Sequence, residues 1–279
     1  MKKIMYSRFV FLISILIVTA CTTTTATPPP DTATPTSPID TATSTLPALT
    51  PTSTLPALTA TSTLPALTAT PTGDLPDMPN KPTPLDVPFN GCPPEGSGGD
   101  QEQNLLKNRS DEGDYVPVNF DVIAKLTWPV AVQQNERKNW SAADKATIAK
   151  YEGIPVMVEG FLAGSKESGA ESANCGKTAS NLVDWHVWFV KNSGDGRNVS
   201  IVIEPTPRSR ANHQWTLTKL KPIINGQIPV RISGWLFFDP EHPDQLGLTR
   251  GTLWEIHPVM QIEVWQNNQW VPLDNATVQ

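Results

Sequence analysis

RGTLWEIHPVMQIEV, residues Arg250 to Val264, is the last long alternating stretch of the chain and the one on which the fold turns. Trp254, Ile256, Met260, Ile262 and Val264 share one parity, so an extended strand points them to one side. Glu255, His257, Gln261 and Glu263 take the other side, beside Leu253, Val259 and Trp265. An apolar face backed by Glu-x-His suits the wall of a barrel or sandwich. Pro258 cannot donate a ladder hydrogen bond, so it marks a bulge or an edge position just past His257.

Working back from this stretch, the same alternation recurs. Val230, Ile232, Gly234, Leu236 and Phe238 make a strand after the Asn225-Gly226 turn. Ser209 to about Leu220 lacks strand alternation and reads as a helix with Trp215 and Leu220 inward. Val199, Ile201 and Ile203 form a strand, joined through Gly194-Asp195-Gly196 to Val183, Trp185, Val187 and Phe189. Ile154, Val156, Val158, Gly160 and Leu162 give the first strand. Three strands, a helix and two strands is the order of the OB-fold, a five-stranded partly open barrel. Another small sandwich or barrel is the competing reading. The fold class expected is therefore mostly β: a five-stranded OB-like barrel over residues 154–279, with a helix between strands three and four.

An irregular α/β extension, residues 89–153, precedes the barrel. Gln101 to Arg109 reads as a short helix and Tyr115 to Leu126 as an extended piece. Ser141-x-x-Asp144 resembles a capping box that opens a helix running to about Lys150, with Gly153 as its stop. Every one of the nine Trp lies after Pro88, which puts the core in this C-terminal part.

Residues 21–88 are Thr, Pro, Ala and Ser with almost no charge, and STLPALT recurs there at Ser44, Ser53 and Ser62. Each unit offers too little apolar surface to offset the entropy of ordering it, so we expect a disordered tether. Ahead of it, Lys2, Lys3 and Arg8 precede the apolar run Phe9 to Val18 and then small residues, the pattern of an export signal over residues 1–20. Val18-Thr19-Ala20-Cys21 resembles a bacterial lipobox. That resemblance implies cleavage before Cys21 and lipidation of its sulfur. The expected address is extracytoplasmic, on a lipid anchor in the cell membrane.

Export leads to an oxidising compartment, where the remaining pair, Cys92 and Cys175, suggests a disulfide. Two free thiols or a metal pair are the alternatives, although neither Cys has a further Cys or His at ligand spacing. The net charge of −6 comes with no Lys/Arg run, which leaves no strong nucleic-acid signature. No cofactor motif and no metal-ligand spacing stands out, so neither is expected.

The run DWHVWFV (from Asp184), VSIVIEPTPRSR (from Val199), VRISGWLFFD (from Val230) and RGTLWEIHP (from Arg250) is similar to a family of exported bacterial lipoproteins with an OB-fold-like C-terminal domain. The resemblance implies a fold and an address but no activity.

OB-folds bind ligands on the face of strands two and three and on the loops between strands one and two and strands four and five. Here those loops are about Ala163 to Leu182 and about Asp239 to Thr252. Aligning the core-facing parities of strands two and three sets His186 opposite or diagonal to Glu204. The third strand of an OB barrel lies beside the fifth, which brings Glu204 toward Glu255 and His257, with Arg208, Arg210 and Arg250 at strand ends. Trp188 or Trp235 would supply an apolar platform. A ligand-binding module for oligosaccharide, oligonucleotide or protein is the first reading. A metal-dependent hydrolase of phosphodiesters is the second. OB-fold nucleases of the staphylococcal type resemble such a cluster, but their carboxylate pattern is missing here. A structural envelope role, with the His and Glu residues only satisfying one another, is the third.

Overall fold

A computed structural model describes residues 73–278, apart from 79, 85 and 86. The export signal, Cys21 and the STLPALT repeats lie outside the described residues. In chain order the elements are α1 (Gln101–Lys107), β1 (Val116–Pro117), α2 (Phe120–Ala124), α3 (Ala142–Ala149), β2 (Pro155–Glu167), β3 (Trp185–Val190), β4 (Ile201–Ile203), α4 (Pro207–Arg210), α5 (Leu217–Asn225), β5 (Val230–Phe238), β6 (Trp254–Gln266) and β7 (Gln269–Pro272). Short 3-10 turns fill several connections.

Strands β2, β3, β4, β6 and β5 pair in that order, and β5 returns to β2, so the sheet closes. This is the expected OB-like barrel, with α4 and α5 between its third and fourth strands and α1, β1, α2 and α3 as the extension. All barrel neighbours are antiparallel except β4 and β6, which run parallel. Closure depends on β2, which pairs through Pro155–Gly160 with β5 and through Phe161–Glu167 with β3. A bulge between Leu162 and Gly164 eases that change of partner. At Gly160 a Cβ would stand 2.4 Å from the Val190 carbonyl oxygen, so only glycine lets the two strands approach.

The core is made by the expected parities: Val156, Val158, Val187, Phe189, Ile201, Ile203, Ile232, Leu236, Trp254 and Ile256 are all buried in one cluster. Helix α5 adds Leu220 and Ile223, and Trp215 joins them from the loop before it.

Several expectations are corrected. Tyr115–Leu126 is not one extended piece. Only Val116 and Pro117 pair, parallel to Val156 and Met157, before the chain turns into α2. The segment read as one helix from Ser209 is two, because Thr206 and Thr216 each cap a separate start and the chain bends between them. The loop placed at Ala163 opens later, since β2 runs on to Glu167. β7 was not foreseen; it pairs with the end of β6.

The Pro258 expectation is met by a cis His257–Pro258 bond and a doubly bulged β6. Leu236 pairs with Ile256, Gly234 with Val259 and Ser233 with Gln261, so β6 gains one residue at each step. Core parity shifts accordingly. Val259 enters the core cluster, while Met260, although buried, stays outside it. Gly234 tolerates this crossing, since a Cβ there would lie 2.4 Å from the Pro258 carbonyl oxygen.

Residues 73–78, 80–84 and 87–88, read above as the end of the tether, follow the domain surface. Leu75 and Met78 pack on the core, Lys81 bonds the Ala149 carbonyl, and the Pro82 carbonyl accepts from Arg109. Among the described residues, no helix is long and apolar enough to cross a membrane.

Candidate functional site

Strand register builds the polar cluster much as the sequence suggested. Val187 faces Ile203 and Val202 faces Glu255, which sets the outward residues of β3, β4 and β6 side by side. His186 Nδ1 lies 3.3 Å from Glu204 Oε1, and His257 Nδ1 lies 3.1 Å from Glu204 Oε2 and 3.5 Å from Glu255 Oε2. Arg250 Nη1 reaches Glu255 Oε1 at 3.0 Å and Asp239 Oδ2 at 2.7 Å. Asp184 completes the group, with Oδ2 3.7 Å from His257 Nε2 and Oδ1 accepting from Asn174 Nδ2 at 3.0 Å.

Five of the eight candidates therefore converge: His186, Glu204, Arg250, Glu255 and His257. The others do different work. Arg208 donates to the carbonyls of Val87, Cys92 and Pro93, and so ties the extension to the barrel. Arg210 donates to the carbonyls of Val183 and Thr206, and its guanidinium lies over Trp185. Neither touches the cluster. Trp188 adjoins His186 but is no open platform, being buried with the Arg197 guanidinium 3.8 Å over its ring. Trp235 is likewise buried, under Arg109 at 3.4 Å. Asp184 and Asp239 were missed, although the alternation marks both: Asp184 shares parity with His186, and Asp239 with Phe237 on the outward side of β5.

The cluster is sealed. Side-chain exposure is 0 % at His257, 1 % at Arg250, 3 % at Glu255 and 7 % at Glu204. Part of the cover is the extension itself. Cys92 is bonded to Cys175, as expected, and Asn108 donates to the carbonyls of Pro94 and Ala173. Lys107, at the end of α1, meets Glu171 at 2.6 Å. The wall that OB-folds commonly offer to ligands is here covered by the protein's own chain.

Burial and neighbours set the charge states. Burial would lower the His257 imidazole, but the adjacent Glu204 and Glu255 carboxylates outweigh it and raise it to about 10. Glu204 is held well below the carboxylate range against the cost of burial, by His257 and by the adjacent His186. Burial, then the nearby Glu171, lifts Asp184 to about 7. Glu255 is also raised, by burial and by Asp239 and Glu204. At the far end, the Asp239 hydrogen bond raises His242 to about 9.

An open site lies on a different wall. A groove of about 1230 Å³ runs between residues 73–77, α2 and the outer surface of β2 and β5. Leu75, Val118, Leu126, Tyr151 and Met157 give it an apolar floor. Its cations are largely paired: Lys191 meets Asp121 at 2.7 Å, and Arg231 is bidentate to Glu263 at 2.6 and 2.7 Å. Glu159 differs. Its Oε1 is buried without a hydrogen-bond partner, and burial lifts its carboxyl to about 7.

Compared with protein-family models, with curated proteins and with solved structures, the chain finds no match.

Proposed function

We propose that the protein is a lipid-anchored extracytoplasmic lipoprotein whose OB-like domain binds a ligand in the groove between α2 and the β2–β5 wall. The tether sets the domain away from the membrane. The observation that carries the reading is Glu159, half buried on the wall of a groove with an apolar floor, with its Oε1 left unpartnered. Such a group calls for a hydrogen-bond donor from outside, since a buried acceptor left unmade costs about 1–3 kcal/mol. A groove of about 1230 Å³ exceeds the roughly 300–1,000 Å³ of ordinary small-molecule pockets, which favours an oligomeric ligand.

Oligosaccharide is the class that fits. It brings many hydroxyl donors and apolar ring faces for Tyr151 and Met157. Asp74, Asp77, Asp121 and Glu159 balance Lys125, Lys150, Lys191 and Arg231 along the lining, so the groove lacks the cationic excess that an oligonucleotide calls for. The hydrolase reading would need a substrate to reach Glu255 and His257, whose side chains are 3 % and 0 % exposed. Thermal-shift screening of the full chain against oligosaccharides and oligonucleotides tests the proposal. Stabilisation by an oligosaccharide, lost in Glu159→Ala and Tyr151→Ala, supports it. Stabilisation that survives both substitutions contradicts it.

A further inference from the structure

The sealed cluster contains more acid than its fixed cations match. Arg250 satisfies Asp239 and Glu255, and Lys107 satisfies Glu171. Asp184 and Glu204, 1 % and 7 % exposed, have among the described residues only His186 and His257 as ion-pair partners. Their two oxygens are used unequally. Asp184 Oδ1 is fixed by Asn174 Nδ2, and Glu204 Oε1 stands against His186 Nδ1. The remaining Asp184 Oδ2 and Glu204 Oε2, together with both ring nitrogens of His257, are buried without a hydrogen bond. These atoms crowd at 3.1 to 3.7 Å without the geometry of a hydrogen bond.

We infer that Asp184, Glu204 and His257 form a structural divalent-cation site, with zinc as the ion the donor set favours. One ligand atom from each residue lies within 4.8 Å of the other two. Bonds of about 2.0–2.2 Å to zinc would draw them a little closer. One imidazole nitrogen with two carboxylates suits zinc better than calcium, which takes 6–8 oxygens. Around these ligands stands the usual second tier. Asn174 holds Asp184, His186 stands against Glu204, and Glu255 Oε2 lies 3.5 Å from the His257 ring, placed to orient it. Asp184 precedes β3, Glu204 follows β4, and His257 stands in β6. The ion would pin three neighbouring strands beneath the Cys92–Cys175 cover.

Because the site is sealed, loading accompanies folding. The full chain is unfolded, stripped with chelator, and refolded under disulfide-forming conditions with or without zinc, and bound metal is measured by elemental mass spectrometry. About one zinc per folded chain is expected, with a raised melting temperature. Asn174→Ala, which leaves the three ligands in place, should weaken zinc by about 10–100-fold. His257→Gln should abolish stoichiometric binding, whereas His242→Gln should retain it. Should His257→Gln fail to fold, the wild-type melting temperature with and without zinc, read beside Asn174→Ala, still decides. Correctly folded wild type that takes up less than about a tenth of an equivalent and melts identically with zinc overturns the site. So does stoichiometric zinc in folded His257→Gln, or an Asn174→Ala variant that holds zinc against a competing chelator as tightly as wild type.

Discussion

Replacing Arg250 with Met exposes how the sealed wall is balanced. The guanidinium is 1 % exposed and its Nη1 lies 2.7 Å from Asp239 and 3.0 Å from Glu255. At an effective dielectric of about 20, those two contacts correspond to roughly 6 and 5.5 kcal/mol of gross attraction. Much of this is offset by the cost of taking three charges out of water. Measured losses on removing one partner of a buried pair are about 3–5 kcal/mol, chiefly because the other charge is left stranded. Asp239 keeps His242 and Glu255 keeps His257, so a loss of about 4 kcal/mol is expected rather than twice that. In urea, with a slope of about 2 kcal/mol per molar, the unfolding midpoint should drop by about 2 M. Adding Glu255→Gln removes one stranded carboxylate and should recover part of the loss, a coupling that a double-mutant cycle reads directly. A single-variant loss below about 1 kcal/mol, or no recovery in the double variant, would show that the cluster is solvated and refute the reasoning.

Three further outcomes follow from the same geometry. Cys92→Ser with Cys175→Ser opens a link across 83 residues, for which the chain-entropy model gives a loss of about 4.5 kcal/mol by denaturant titration. Glu159 is lifted from 4.5 to about 7, so the folded state holds its proton the more tightly and stability falls as pH rises through that window. Glu159→Gln should therefore raise the melting temperature at pH 8 and leave it unchanged near pH 4, the gain being of order 1 kcal/mol after allowance for its solvated side. Gly234→Ala should cost about 3 kcal/mol or prevent folding, since the new Cβ meets backbone at 2.4 Å; unchanged expression and melting would contradict the strand crossing.

The barrel was legible because each of its five strands carries period-two alternation, and glycine-bearing loops or the α4–α5 segment separate them. Parity also located the polar cluster, because His186, Glu204, Glu255 and His257 must share the outward side once the cores of β3, β4 and β6 are joined. Elements whose pattern is too short to register were not legible. Val116–Pro117 pairs over only two residues, and β7 is largely solvent-facing. The seal over the cluster was hidden for another reason. It rests on contacts across long separations, such as Asn108 to Ala173 and Arg208 to Cys92, which no local pattern encodes. For the same reason local ligand spacing does not reveal the Asp184–Glu204–His257 trio: its members lie in or beside three different strands. The groove needed the path of residues 73–77, whose composition resembles the tether before it.

Hydrogen exchange measured with and without a bound oligosaccharide tests the central claim, that the ligand face has moved away from the wall OB-folds commonly use. The account predicts new protection in Pro117–Leu126 and at Met157–Glu159, with Asp184–Val190 and Glu255–His257 unchanged. Protection appearing at Asp184–Val190 or Glu255–His257 while the groove stays unchanged would contradict it.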